Sequence, residues 1–263
     1  MLPGVFFIVM VGIMKVNITK TKQASRLVIY GWHACKAAIH NPNRKIYRIL
    51  LVNEQDAKPL LDGLAAPAAV EIVERRFLQQ LLGPDAVHQG IACELAPLPA
   101  LSLSVLEGCA QENQIVVCLD QVTDPHNVGA ILRSCAAFGA KALILTERHA
   151  PMETAALLKA ASGAFEAVPL IRIVNLAQAL KELQSLGFWT CGFAEDASQS
   201  LNAINLKGKM AFVLGSEGDG LRRLTRENLD FLVRLPTQAN FTTLNVSIAT
   251  AVSLYEAFRQ HTT

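Results

Sequence analysis

The chain predicts an α/β fold built on a parallel sheet, and three stretches carry that expectation. The first, residues 115–145, runs IVVCLDQVTDPHNVGAILRSCAAFGAKALIL: an apolar strand at 115–119, a polar loop at 120–126, a helix at about 127–138 and a second apolar strand at 142–145. A strand, a helix opening at a loop and another strand make a right-handed βαβ unit, the building block of parallel sheets. The second, residues 27–95, alternates short β-rich and helical runs, as a small α/β domain does. The third, from residue 154 onward, repeats the alternation and ends in a long helix.

In chain order, a β-rich start at residue 27 passes through Gly31 into an alanine-rich helix that Asn41-Pro42-Asn43 ends. Strands follow at 46–52, 70–73 and 91–95, with helices at 57–64 and 76–82, the second stopped by Gly83-Pro84. Residues 97–113, opening with Pro97 and Pro99, read as a linker with room for a short helical piece. Beyond the βαβ unit, helices are expected at 154–161, 176–186, 221–229 and about 245–259, and strands at 168–171, 189–192, 210–214 and 231–235. The resulting domains are an extension at 1–24, expected to be disordered, a small domain at 25–96, the linker, and a larger domain at 114–263.

With 263 residues, 51% of them hydrophobic, the chain has material for two cores. The net charge of +2 hides an asymmetry: no acidic residue precedes Glu54, while Lys15, Lys20, Lys22, Arg26, Lys36, Arg44, Lys45 and Arg48 do. Such a segment suits a polyanion such as RNA or DNA; a solvated basic face is the plainer alternative. Six cysteines (35, 93, 109, 118, 135, 191) form no C-x-x-C and no histidine-paired ligand spacing. That composition favours a reducing cytoplasm and no metal site. Residues 1–13 are apolar but shorter than the roughly 20 residues a bilayer span needs, so no membrane association is expected. Met14 is a sensible alternative start.

In a parallel sheet a ligand binds beyond the carboxyl ends of the strands, which points first to Asp124, Asn127, Gly129 and Arg133. The G-x-G-x-x-G fingerprint of dinucleotide binding is absent from this loop, so its chemistry is side-chain-led and a nicotinamide dehydrogenase is disfavoured. The plain reading makes Asn127 a helix cap and Arg133 a solvated residue. Two further clusters stand at strand ends. Gly215-Ser216-Glu217-Gly218-Asp219-Gly220 is a tight turn where backbone can approach a ligand. In P-T-Q-A-N-F-T-T-L-N-V-S (236–247), Thr242, Thr243, Asn245 and Ser247 put polar groups at the start of an otherwise apolar helix, with Thr243 also a candidate cap.

Together D-P-H-N-V-G-A-I-L-R (124–133), L-G-S-E-G-D-G-L (214–221) and L-P…T-L-N-V-S-I-A…Y-E (235–256) resemble the SpoU, or TrmH-like, family of RNA 2′-O-ribose methyltransferases in the SPOUT superfamily. Y-G-W-H-A (30–34), V-H-Q-G-I (87–91) and V-P-L-I-R-I-V-N-L (168–176) extend the likeness to members that methylate a guanosine ribose in 23S rRNA. The resemblance covers about residues 25–260. It implies a C-terminal SPOUT domain with a trefoil knot, an L30e-like RNA-binding domain before it, S-adenosyl-L-methionine as methyl donor, and a homodimer whose subunits complete one another's sites. By position, cofactor contacts fall on Gly215, Leu235 and Leu244, and the chemistry on Asn127, Arg133, Glu217, Thr243 and Asn245.

The family proposal makes Arg133 the general base. Since arginine keeps its proton to a pKa above about 12, an electrostatic clamp on a phosphate and on the developing alkoxide suits it better. The chain departs from the family pattern at Thr243, where serine is usual, at Ala239, where glycine is common, and at Ala251. A tRNA 2′-O-methyltransferase and a non-catalytic RNA-binding assembly factor on the same scaffold are the rival readings.

Overall fold

The computed structural model describes residues 26–64, 69–108, 112–148, 150–238 and 243–262. The expectations for residues 1–24, Cys109, Ala239 and Thr242 lie outside them. Two compact units emerge: described residues up to Pro99 together with Glu153–Lys159, and Ala100–Met152 with Ala160 onward.

The first unit contains β1 (Leu27–Tyr30), α1 (Trp32–His40), β2 (Ile46–Leu51), α2 (Ala57–Leu61), β3 (Val70–Ile72), α3 (Arg75–Leu82) and β4 (Ile91–Leu95). Its sheet runs β1-β4-β2-β3, with β4 antiparallel to both neighbours and β3 parallel to β2. Period-2 alternation sends Leu50 and Ala92 to one face, where they meet Leu78 of α3. Two residues along the same strands, Arg48 bridges Glu94 at 2.6 Å and Glu71 at 3.2 Å, tying three strands. Two of the sequence motifs meet here. The side chain of Gln89 (φ 54°) accepts from the Trp32 amide at 2.8 Å, and the Gly31 amide bonds the Ile91 carbonyl at 3.3 Å. Y-G-W-H-A and V-H-Q-G-I therefore brace one another at the start of α1.

The second unit contains β5 (Gln114–Asp120), α4 (Pro125–Ala137), β6 (Ala142–Thr146), α5 (Ala155–Ala161, shared with the first unit), α6 (Ala164–Ala167), β7 (Leu170–Ile173), α7 (Leu176–Ser185), β8 (Trp189–Phe193), β9 (Gln199–Ser200), β10 (Lys209–Gly215), α8 (Arg223–Arg226), β11 (Phe231–Arg234) and α9 (Val246–Thr262). All seven strands are parallel, in the order β7-β6-β5-β10-β8-β11-β9. Every residue of β5 and β6 is buried, as strands covered on both faces require, which is why they read as unbroken apolar runs. Leu103 and Leu106, in a 3₁₀ turn within the expected linker, are buried in this unit's core beside Val116 and Ile171.

Three expectations are corrected. Helix α4 begins at Pro125, two residues early, because Asp124 caps it by accepting the His126 amide at 2.9 Å and proline presets φ at the first position. The strand expected at 168–171 is displaced to Leu170–Ile173, since the Val168 amide closes α6 on the Ala164 carbonyl at 3.0 Å. The helix expected at 221–229 shrinks to Arg223–Arg226. Arg222 is held extended by bonds to Asp120, and Asp230 is drawn away to Thr190.

Gly129 is explained by packing. A Cβ there would lie 2.5 Å from the Ala160 Cβ and 2.9 Å from the Ala160 carbonyl carbon and the Ala161 nitrogen. Gly129→Ala should destabilise the fold by about 1–3 kcal/mol, the usual range for overpacking. Urea unfolding measures it, and an unchanged midpoint would contradict this account.

Candidate active site

The carboxyl ends of β5 and β10 lie side by side, with Asp120 and Gly215 in register. Each strand hands its chain to a functional loop. Beyond β5, the capped start of α4 places Asn127 in the first helical turn. Beyond β10, the chain folds back on itself: the Gly220 amide bonds the Ser216 carbonyl at 3.1 Å, with Gly218 at φ 94° and Gly220 at φ 65°. A Cβ at Gly215 would strike the Gly220 carbonyl carbon at 2.1 Å, so only glycine lets the turn close. That turn presents Glu217 at its exposed tip. Asn245 comes from the third segment, immediately before α9.

These three side chains meet. Asn245 Nδ2 donates to Glu217 Oε1 at 2.6 Å and to Asn127 Oδ1 at 3.0 Å, and Asn127 Nδ2 donates to the same Glu217 oxygen at 3.0 Å. Asn245 is oriented from behind, because its Oδ1 accepts the Ser247 amide at 2.9 Å and the Ser247 hydroxyl at 2.6 Å. Asn245, rather than Thr243, thus caps α9. The result is one carboxylate with two amides locked to one of its oxygens, leaving Glu217 Oε2 without a partner among the described residues.

The other sequence-derived candidates are placed by the elements that carry them. Leu235 directly follows β11 and is half-buried; Leu244 precedes Asn245 and is 38% exposed. Thr243 is exposed beside it. Arg133 is not brought to the cluster within one chain. It sits six residues along α4 from Asn127, about 9 Å further along the axis and roughly 120° around it. It is exposed, with no hydrogen bond or ion pair among the described residues.

Sequence reading missed the groups that fix the loops. Asp120, fully buried at the end of β5, accepts from Arg222 Nε at 2.6 Å, Thr225 Oγ1 at 2.7 Å and the Arg222 amide at 3.1 Å, pinning the chain just after the Glu217 turn. The one available signal was an aspartate closing an otherwise apolar strand. Asp230 is a second such anchor. Burial opposes its ionisation, but the Thr190 amide at 2.8 Å, the Thr190 hydroxyl at 2.7 Å and the Gln184 amide at 3.2 Å outweigh it and hold its carboxyl below the ordinary value. A depressed folded-state pKa adds stability above the unfolded carboxyl's pKa of about 3.9, lost as pH falls through the lower folded value. Asp230→Asn should therefore lower stability at pH 7 and flatten the acid limb of a stability–pH curve. An unaltered acid limb would exclude that linkage.

The described cysteines are all buried and serve the core. Burial pushes the thiols of Cys135 and Cys191 up to about 12, which keeps them protonated and unreactive. No group of side chains able to hold a metal ion occurs among the described residues, and none of their helices is long and apolar enough to cross a membrane.

A parallel sheet whose strand ends carry a fixed carboxylate–amide cluster defines an α/β protein with its ligand site at the sheet's carboxyl edge. The model of the SpoU rRNA methylase family matches residues 114–255, and that of the RNA 2′-O-ribose methyltransferase substrate-binding domain matches 28–101. The chain belongs to the SpoU rRNA methylase family. Among curated relatives, the 23S rRNA (guanosine-2′-O-)-methyltransferase RlmB of Pseudomonas putida is 39% identical, covering 88% of this chain and 96% of its own length. RlmB of Photobacterium profundum is 40% identical, covering 89% and 97%. The fold matches the SpoU methyltransferase AviRb from Streptomyces viridochromogenes, solved with AdoMet, at a TM-score of 0.78 and 19% identity, over 90% of this chain and 91% of that one.

Proposed function

We propose that this protein transfers a methyl group from S-adenosyl-L-methionine to the 2′-hydroxyl of a guanosine ribose in 23S rRNA. The observation that carries the reading is the Asn127–Glu217–Asn245 cluster, assembled from three sequence-distant motifs at one sheet edge. The high-coverage identity to the RlmB enzymes supports the substrate class.

The residues at 215, 235 and 244 fit the donor's adenosine. Gly215 and its turn offer backbone without a side chain, and Leu235 and Leu244 offer partly exposed apolar surface at strand and helix ends. Bound there, the donor supplies an electrophilic methyl on a sulfonium. The protein's own task is to hold the ribose in line and to manage the hydroxyl's proton. Glu217 fixes both amides, and Asn127, Asn245 and Thr243 position the sugar. Arg133 clamps the adjacent phosphate and stabilises the negative charge growing on the 2′-oxygen, and that phosphate takes the proton.

A homodimer explains why Arg133 stands apart from the cluster: it reaches the site of the second subunit. An exposed apolar stripe supports this. Ile248, Val252, Tyr255 and Phe258 are exposed at helical spacing along α9, and the last two are in part covered by Phe138 at the end of α4, whose ring lies 6.0 Å from each of theirs. The trefoil knot is part of the same reading. It would be formed by the chain beyond β10, a late strand seated between β5 and β8 and fastened through Asp120. The first unit, with an L30e-like fold, binds RNA, and the enzyme works in the cytoplasm.

Mapping 2′-O-methyl groups in rRNA and tRNA from cells with and without the gene tests the reading. Loss of one guanosine methyl in 23S rRNA is expected. Loss in tRNA instead would make this a tRNA enzyme, and no change would leave a non-catalytic RNA-binding scaffold.

A further inference from the structure

A second feature lies on the same sheet edge, away from the loops that suit the donor. It is a groove of about 590 Å³ at the carboxyl ends of β5, β6 and β7, lined among others by Gln121, Arg148, Val174, Arg222, Arg223 and Leu224. Its described lining holds three arginines and no carboxylate.

The three cations are presented differently. Arg222 is pre-set: buried Asp120 holds its Nε and its amide, while its terminal nitrogens have no partner among the described residues. Arg148 has no partner for its guanidinium among the described residues. Among the described residues Arg223 is engaged only by Glu227, one turn along an exposed face at 2.5 Å, a pairing weak enough to yield to a phosphate. Between them, Val174 is 80% exposed and Leu224 57% exposed, giving the groove apolar walls. Cations around an apolar trough fit a nucleic acid strand, phosphates on the rim and a base against the wall.

Topology places the groove. In the order β7-β6-β5-β10-β8-β11-β9, Gly215 ends β10 and Leu235 follows β11, and the groove covers β7, β6 and β5. The Asn127–Glu217–Asn245 cluster stands at the β5/β10 junction between them. The groove shares both catalytic segments, since Gln121 lies on the loop leading to Asn127 and Arg222 lies five residues after Glu217.

We infer that this groove seats the RNA strand flanking the target nucleotide, with Arg148, Arg222 and Arg223 on its phosphates and Val174 and Leu224 against one of its bases. The inference rests on the proposed methyl transfer for its choice of RNA, and it adds a substrate track on the β5, β6 and β7 side of the strand order.

The test uses the full chain and the double variant Arg148→Gln/Arg223→Gln, which spares the Asp120 anchor; thermal melting verifies that it folds. Binding of unmodified 23S rRNA transcribed in vitro is followed against salt concentration without cofactor, and turnover is measured separately. Removing two phosphate contacts should make the log–log salt slope shallower by about 1.4 and raise KM for RNA by about tenfold. S-adenosylmethionine affinity and the rate at saturating RNA should hold. Val174→Asp should weaken RNA binding at least as much.

Equal salt slopes and equal KM for variant and parent would overturn the groove. So would loss of binding to ribosomal particles with binding to naked RNA intact, which would assign the groove to a protein partner. A changed slope with no turnover by the parent protein would keep the groove and remove the methyl-transfer reading.

Discussion

Arg133→Ala is expected to lower kcat by about 10²–10³-fold, the scale on which removing a preoriented donor to a developing oxyanion acts. S-adenosylmethionine affinity, measured by calorimetry, should not change. The structure gives the reason for the split. Arg133 is exposed on α4, without a partner among the described residues, and the proposed reading puts the donor's adenosine on Gly215, Leu235 and Leu244 instead. On that reading its guanidinium meets substrate alone. Arg133→Lys keeps the charge and loses the planar fork, so part of the rate should survive. Were Arg133 a general base, lysine, which gives up its proton more readily, would do at least as well, and its rate would climb with pH toward about 10. Loss of donor binding in Arg133→Ala would defeat the assignment outright.

What the sequence disclosed follows burial. β5 and β6 are read directly because a strand covered on both faces is apolar between its ends, and the runs IVVCL and ALIL have few other readings. The helix expected at 221–229 fails for a reason periodicity cannot see. Its ends are taken by side chains far along the chain, Asp120 at one end and Thr190 at the other, more than 100 and 40 residues away. Gly129 and Gly215 are legible as glycines but not as to cause. Gly129 faces Ala160, brought up by tertiary folding, and Gly215 faces Gly220, brought back by a turn whose closure the glycines alone do not reveal. The Asn127–Glu217–Asn245 cluster is the extreme instance. Asn127 and Glu217 are 90 residues apart, Asn127 and Asn245 118, so no local pattern joins them. Only the co-occurrence of three motifs, recognised by family resemblance, pointed to one site.

Asn245→Asp probes that cluster more sharply than alanine does. The substitution keeps the oxygen that receives the Ser247 amide at 2.9 Å and its hydroxyl at 2.6 Å, so the cap on α9 survives. It replaces the amide donor, now 2.6 Å from Glu217 Oε1, by a second carboxylate oxygen. Two carboxylates at that distance cannot both ionise freely, so they share a proton until pH rises and then repel. The expected result is near-native thermal stability at acid pH, a kcat lowered by about 10²-fold as the ribose-positioning amide is lost, and a further decline as pH rises.

The same variant decides whether Arg133 serves its own subunit or its partner. Reassociating Asn245→Asp with Arg133→Ala subunits at random makes half the molecules heterodimers. If Arg133 crosses the interface, each heterodimer holds one site with both groups intact, and activity returns to about a quarter of the parent's. If Arg133 acts within its own chain, every site in the mixture lacks one group and no activity returns. The apolar stripe of Ile248, Val252 and Tyr255 is tested separately as the dimer contact: if it is, a charged residue at Val252, 44% exposed, abolishes recovery while leaving the Asn127–Glu217–Asn245 bonds of each chain untouched, and undiminished recovery puts the contact elsewhere.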